Sequence, residues 1–193
     1  MFRFRFLPAV AVVGILVLVG CAPTPEPSTT PSSEVTQNDT PSSEPTQEPQ
    51  SFVGNVPADC AAVGTAESRA DSVDQLNLQG DGVGFVRPAP EGATLLLGCD
   101  WFAGDTSGVL LLISEVDPAA AEAYVATLPD QGYTYVTGDA GNPVCQMVTP
   151  NSQYPVDTVE TITSREDIWI YSSATNIDAD MLLSDLNLQI WGN

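Results

Sequence analysis

The residues of this chain that could carry chemistry are four cysteines and 25 carboxylates, because it contains no histidine. All five basic residues are arginines, and arginine does not give up its proton in proteins. Without an imidazole, Ser–His and Cys–His nucleophiles and histidine-ligated zinc sites are excluded. Without a lysine, a Schiff base and a phosphate-loop lysine are excluded as well. Thiol chemistry and paired carboxylates remain.

Cys21 is the most informative of the four thiols, because an apolar segment ends directly before it. Arg3 and Arg5 precede an apolar stretch over 7–19, and Gly20 separates that stretch from the cysteine. Basic, apolar and small residues in this order are typical of a secretory signal peptide. The stretch is short for a permanent span, which needs about 20 apolar residues. Residues 1–20 are therefore predicted to be a cleaved signal peptide.

The four residues Leu18-Val19-Gly20-Cys21 resemble the lipobox of bacterial lipoproteins. In that family the cysteine thiol receives a diacylglyceryl group, with acyl chains such as palmitate, and becomes the first mature residue. The resemblance implies that lipid on Cys21 holds the chain at the extracytoplasmic face of the cell membrane, since several acyl chains give stable attachment. A plain secreted protein with an unmodified cysteine is the alternative.

Residues 21–50 are predicted to form a disordered tether. Proline, serine, threonine, glutamine and glutamate dominate this segment, and TPSSEVTQ (30–37) returns as TPSSEPTQ (40–47). Such a composition cannot bury enough apolar surface to offset the entropy of ordering the chain. At about 3.1 Å per residue, a proline-rich segment of this length reaches on the order of 90 Å when extended.

Residues 51–193 have the length of one domain and are predicted to form a single α+β fold. Alternating or apolar segments on either side of turn residues predict three antiparallel hairpins. The paired segments are 94–102 with 108–116, 133–137 with 144–149, and 157–163 with 167–174.

Two helices are predicted in the same domain. Asp117 and Pro118 begin an alanine-rich run that continues to Pro129, since aspartate caps helices and proline favours the first helical position. Near the C-terminus, a helix capped by Asn176 or Asp178 is predicted from apolar residues at helical spacing. These residues are Met181, Leu182, Leu186 and Ile190, with Asp185 as a polar interruption. We expect an antiparallel sheet with both helices packed on one face.

Cys60, Cys99 and Cys145 remain after lipidation of Cys21, and their spacing leaves the pairing open. An exported protein meets oxidising conditions, so a disulfide is expected. Trp101, two residues after Cys99, should share its sheet face and pack against a disulfide there.

Five short motifs of the domain resemble uncharacterised actinobacterial cell-surface lipoproteins that contain a Cys-x-Trp motif. They are PADCAAVG (57–64), GCDWFAG (98–104), GYTYV (132–136), GNPVCQM (141–147) and LNLQIWG (186–192). The resemblance implies a disulfide between Cys60 and Cys99. The family's partner for Cys145, near Thr134 or Tyr135, is missing, so Cys145 is expected to be a buried free thiol. The family brings no established activity.

The acidic composition limits the partners of the protein. The net charge is −20, and removal of Arg3 and Arg5 with the signal peptide would make it −22. Such a field disfavours nucleic acids and anionic lipid surfaces, whereas a cationic or protein partner in the envelope is compatible with it.

Trp169 and Tyr171 alternate on one face of a predicted strand, which makes them a candidate ligand groove or a stripe packed under a helix. No cofactor, metal site or catalytic residue is predicted. Carboxylate pairs remain possible, but nothing in the sequence picks out a pair among the candidate acids Glu115, Glu122, Glu160, Glu166 and Asp167. The leading hypothesis is a non-enzymatic, lipid-anchored domain that binds a ligand or partner at the cell envelope. An envelope hydrolase with paired carboxylates and a structural wall component are the alternatives.

Overall fold

The computed structural model describes residues 50–85, 87–138 and 143–192. The predicted signal peptide 1–20, Cys21 and nearly all of the predicted tether lie outside the described residues. The strands are β1 (Asn77–Gly80), β2 (Thr94–Ala103), β3 (Ser107–Glu115), β4 (Thr134–Thr137), β5 (Pro143–Pro150), β6 (Asp157–Arg165) and β7 (Ile168–Thr175). The helices are α1 (Ala66–Asp71), α2 (Pro118–Val125) and α3 (Asp180–Trp191).

The seven strands form one antiparallel sheet in the order β1-β2-β3-β7-β6-β5-β4. The three predicted hairpins are confirmed as β2–β3, β4–β5 and β6–β7. β7 pairs with β3 over its whole length, from Gly108 opposite Thr175 to Glu115 opposite Ile168. This long-range pairing puts β3 and β7 inside the sheet and leaves β1 and β4 at its edges.

Helix α2 begins as predicted. The Asp117 carboxylate accepts a hydrogen bond from the Ala120 N–H at 2.8 Å, and Pro118 lies in the first turn. The helix ends at Val125, earlier than predicted, and a 3₁₀ turn over Leu128–Gln131 follows. A proline disfavours the α conformation of the residue before it, so the influence of Pro129 on the helix begins before residue 129.

Helix α3 begins later than predicted, and its buried face contains Leu182, Leu186 and Ile190 as predicted but differs at one position. Ala179 is its N-cap residue, and Asp178 accepts a hydrogen bond from the Asp180 N–H at 3.0 Å. Met181, which the predicted apolar face included, is 41% exposed, and Leu183 is buried instead. Within residues 50–85, 87–138 and 143–192, no helix is long and apolar enough to cross a membrane.

The two predicted helices lie on opposite faces of the sheet, so the expectation that both pack on one face is wrong. We call the face that carries Leu111, Ile113 and Ile170, against which α3 packs, the α3 face. The other, the α2 face, carries Leu112 and Trp169 and packs against α2. Successive side chains of a strand point to opposite faces, and those of β3 and β7 are apolar on both. A sheet with two apolar faces needs a cover on each.

Candidate functional site

Three of the cysteines lie where the sequence and the resemblance predicted. Cys60 and Cys99 form a disulfide with their Cα atoms 5.7 Å apart, which confirms the predicted pair. Cys99 and Trp101 belong to one buried cluster on the α3 face, as predicted. Cys145 is a free thiol, 3% exposed, on the α2 face. Burial raises the pKa of the Cys145 thiol, which keeps it protonated and a poor nucleophile.

Trp169 and Tyr171 share the α2 face, as predicted, but have different surroundings. The Trp169 side chain is fully buried, its ring meets Tyr124 edge-on at 5.5 Å, and its Nε1–H donates to the carbonyl of Pro88. Trp169 is therefore part of the core under helix α2, which is the second of the two predicted alternatives. The Tyr171 side chain is 6% exposed, and it lies in the wall of a pocket.

This pocket has a volume of about 690 Å³, and none of its lining residues belongs to α2. We call it the edge pocket, since edge strand β1 forms one side of it. Its polar side chains are Asn77 and Gln79 of β1, Asp100 of β2, and Ser173 and Thr175 of β7. Its apolar side chains include Phe85, Phe102, Leu110 and Tyr171. The site thus combines aromatic surface with several hydrogen-bonding groups.

Two glycines allow close packing in and beside the edge pocket. A Cβ on Gly98 would overlap the backbone carbonyl of Asp81, so the absence of a side chain lets the loop after β1 lie directly on the sheet. A Cβ on Gly108 would press on the ring of Phe102, which stands opposite it in the β2–β3 ladder. Phe102 therefore lies over a glycine, with its ring 40% exposed and available to a ligand.

The hydroxyl of Tyr171 is held by Glu160. The Tyr133 hydroxyl donates to Oε2 of Glu160 at 2.5 Å, and Tyr171 hydrogen-bonds the same carboxylate. Burial raises the pKa of both tyrosine hydroxyls, and the Glu160 carboxylate raises it further. Both phenols therefore stay protonated, and Tyr171 is a fixed wall of the pocket rather than a base.

Asp100 and Glu160 belong to strands that are not neighbours in the sheet. Asp100 and Glu160 lie in one row across the sheet, with Leu110 and Ser173 between them. Three strand spacings of about 4.8 Å separate their backbones by about 14 Å, whereas the two carboxylates of a glycoside hydrolase lie roughly 5–10 Å apart. Among the described residues, no group of three or more Cys, Asp or Glu side chains could hold a metal ion.

The five acids named from the sequence are scattered over the domain. Glu160 binds the two tyrosines, and the Asp167 carboxylate accepts hydrogen bonds from Ser51 and from the Phe52 N–H. The other three are exposed: Glu115 at the end of β3, Glu122 on α2, and Glu166 in the β6–β7 turn. Glu160 and Asp167 thus hold neighbouring groups by hydrogen bonds, and the other three acids are solvated at the surface.

Asp100, Phe102 and Phe85 are site residues that the sequence analysis missed. Alternation along the predicted strand 94–102 places Asp100 and Phe102 opposite Cys99 and Trp101, and this signal could have found them. Phe85 follows β1 in a loop, where no periodic pattern marks it.

The fold and the site define an α+β domain with a pocket at the edge of its sheet. No family model, curated protein or solved structure matches the chain. The interpretation of the pocket therefore rests on its own geometry and charge.

Proposed function

We propose that this protein is a lipoprotein anchored in the cell envelope of an actinobacterium. Its domain binds a ligand in the edge pocket without catalysing a reaction. Lipid on Cys21 holds the chain at the extracytoplasmic face of the membrane, and the tether 21–50 carries the domain away from the surface. The lipobox and the tether support this location, and the pocket supports the binding role.

The observation that carries the binding role is the composition of the edge pocket. Ligand sites are commonly concave, with volumes of about 300–1,000 Å³, apolar walls and a few polar groups that fix orientation. The edge pocket has a volume of about 690 Å³, and Phe85, Phe102 and Tyr171 offer flat apolar surface beside the amides of Asn77 and Gln79. This combination suits a ligand with one apolar face and polar edges.

The charge of the site narrows the class of ligand further. Asp100 lies in the wall of the edge pocket, and no arginine lines it among the described residues. The net charge of −20 adds to the negative field. A neutral or cationic ligand fits this environment, and an anionic ligand does not.

The test of the binding role compares two exposed aromatic residues. Phe102 is 40% exposed inside the edge pocket, and Tyr154 is 39% exposed outside it. Neutral sugars, primary amines and short peptides are screened by ligand-observed NMR against the full chain in detergent micelles. A hit that Phe102→Ala abolishes and Tyr154→Ala preserves supports the proposal. If no compound distinguishes the two variants, the edge pocket is not a binding site.

The anchor is tested separately. Intact-mass analysis of the chain expressed in an actinobacterial host should find a diacylglyceryl adduct and loss of residues 1–20. Cys21→Ser should abolish the adduct and release the protein from the membrane fraction. An unmodified wild-type Cys21 would contradict the lipoprotein assignment without affecting the binding proposal.

The alternatives have less support. A hydrolase requires a carboxylate pair, and Asp100 and Glu160 are about 14 Å apart by strand spacing. A structural wall component requires no pocket, so a ligand at Phe102 would argue against that role.

A further inference from the structure

A second concave surface lies on the opposite side of the sheet from the edge pocket. Helix α3 packs on the β3 and β7 part of the α3 face, and two adjoining hollows remain between α3, strands β4, β5 and β6, and the end of β7. Their volumes are about 270 and 390 Å³, and they share Gln146, Thr161, Asp180 and Leu183. We call them together the α3 groove.

The wall of the α3 groove contains a buried hydroxyl without a partner. Ser172 is 1% exposed, lines the larger hollow, and its Oγ makes no hydrogen bond. Buried side-chain polar atoms in native proteins are nearly always paired, and an unpaired one is costly. A ligand in the groove can supply the missing partner.

Further hydroxyl and amide groups surround Ser172. Thr161 and Thr163 are 6% and 4% exposed and line the groove beside Gln146, whose Nε2–H donates to Oγ1 of Thr161 at 3.3 Å. Each hydroxyl can both donate and accept a hydrogen bond. A matching ligand must therefore offer donors and acceptors close together, as hydroxyl groups do.

Apolar and acidic side chains set two more limits. Val144, Val148, Val159 and Leu183 give the groove apolar patches between its polar groups, which suit the C–H faces of a sugar ring. Acidic residues lie at one end, and no arginine of the described residues lines either hollow. An anionic ligand would meet repulsion there without a compensating cation.

We propose that the α3 groove is a second binding site and that it takes an uncharged, hydroxyl-rich ligand, a saccharide of one or two rings. Ser172 hydrogen-bonds one hydroxyl of the ligand, and Thr161 and Gln146 hydrogen-bond the neighbouring hydroxyls of the ligand. The valines contact the face of the sugar ring. This site is independent of the edge pocket, because the two lie on opposite faces of the sheet.

Adjacent serines of β7 provide a matched pair of variants for the test. Ser172 lines the α3 groove and Ser173 lines the edge pocket. The full chain in detergent micelles is titrated by saturation-transfer NMR and calorimetry with glucose, galactose, N-acetylglucosamine and their disaccharides. Glucuronic acid serves as an anionic probe and spermidine as a cationic one.

We expect a neutral sugar to bind, with Ser172→Ala weakening it about five- to tenfold, the loss typical of one or two hydrogen bonds. Ser152→Ala, which removes an exposed hydroxyl that lines neither site, should leave this affinity unchanged. Because Ser172→Ala deletes an unpaired hydroxyl, the variant should fold as the wild type does. Thr161→Val, which keeps the side-chain shape, should weaken the same sugar.

Three results would overturn the proposal. They are binding of no neutral sugar, equal affinity of wild type and Ser172→Ala, and binding of glucuronic acid or spermidine in place of the neutral sugars. A sugar whose affinity depends on Ser173 and Phe102 but not on Ser172 would support the edge pocket and refute the α3 groove. The two proposals therefore fail separately.

Discussion

Reduction of the Cys60–Cys99 disulfide should remove a large part of the stability of the domain. The two cysteines are 39 residues apart, and Cys99 lies in the buried cluster on the α3 face. Closing a loop of this length lowers the entropy of the unfolded chain, which corresponds to about 4 kcal/mol at 25 °C. The reduced protein keeps both sulfur atoms, so its core packing stays nearly the same and the loss measures the cross-link.

Urea unfolding with and without a phosphine reductant measures this loss. Trp101, Trp169 and Trp191 are all buried, so their fluorescence reports unfolding on both faces of the sheet. We expect the free energy of unfolding to fall by about 4 kcal/mol and the melting temperature by roughly 10–15 °C.

The variant Cys145→Ala separates the disulfide from the free thiol. Cys145 lies on the α2 face and takes no part in the disulfide, so reduction should cost this variant as much as it costs the wild type. Cys60→Ala/Cys99→Ala should lose at least as much, since it also loses two sulfur atoms from the interior. A loss below about 1 kcal/mol on reduction would refute the reasoning, because loop entropy alone predicts several times more.

Three further predictions follow from single positions. Gly98→Ala should destabilise the domain by about 1–3 kcal/mol in urea, because its Cβ meets the backbone of the covering loop, whereas Gly84→Ala, with open space around it, should be neutral. Stability should fall as pH rises above about 10, because the two tyrosines beside Glu160 ionise in the unfolded chain but stay protonated in the fold. Glu160→Gln removes one cause of the raised pKa of the two hydroxyls, so the fall should end at a lower pH and its total size should be smaller in an alkaline melting series, and an unchanged total loss would contradict the assignment. Cys145 should not react with a thiol reagent until the protein unfolds, and rapid modification of the native protein would show that the thiol is accessible.

The local elements of this fold could be predicted because their signals are local. Each hairpin has strand-like segments on both sides of turn residues, and Asp117 and Pro118 mark the start of α2. The placement of the helices could not be predicted in this way. It depends on β7 pairing with β3, more than fifty residues earlier in the chain, which makes both faces of the sheet centre apolar.

One tetrapeptide shows how far context overrides local preference. LNLQ occurs at 76–79 and again at 186–189. The first copy leads into exposed strand β1, and the second lies in α3, where Leu186 is fully buried. Four residues with the same propensities thus form a strand at one place and a helix at the other. Their contacts with the rest of the domain decide between the two.

The candidate sites were predictable to a smaller extent for the same reason. Tyr171 was predicted from strand alternation, whereas no sequence pattern distinguishes Ser172 from other serines. Its importance comes from burial beside strands that join the sheet through long-range pairing, and from the absence of a partner for its hydroxyl.

The arginines explain why both proposed sites select against negative charge. Arg69 donates to a backbone carbonyl at 2.7 Å and pairs with Asp74 at 2.8 Å. Arg87 donates to a serine hydroxyl of β3, and the Arg165 guanidinium lies 5.9 Å from the centre of the Trp191 ring. Each arginine after the predicted signal peptide thus supports the fold, and none lines the edge pocket or the α3 groove. The negative field is therefore uncompensated at both sites, and added salt should reduce the discrimination against anionic ligands by screening it.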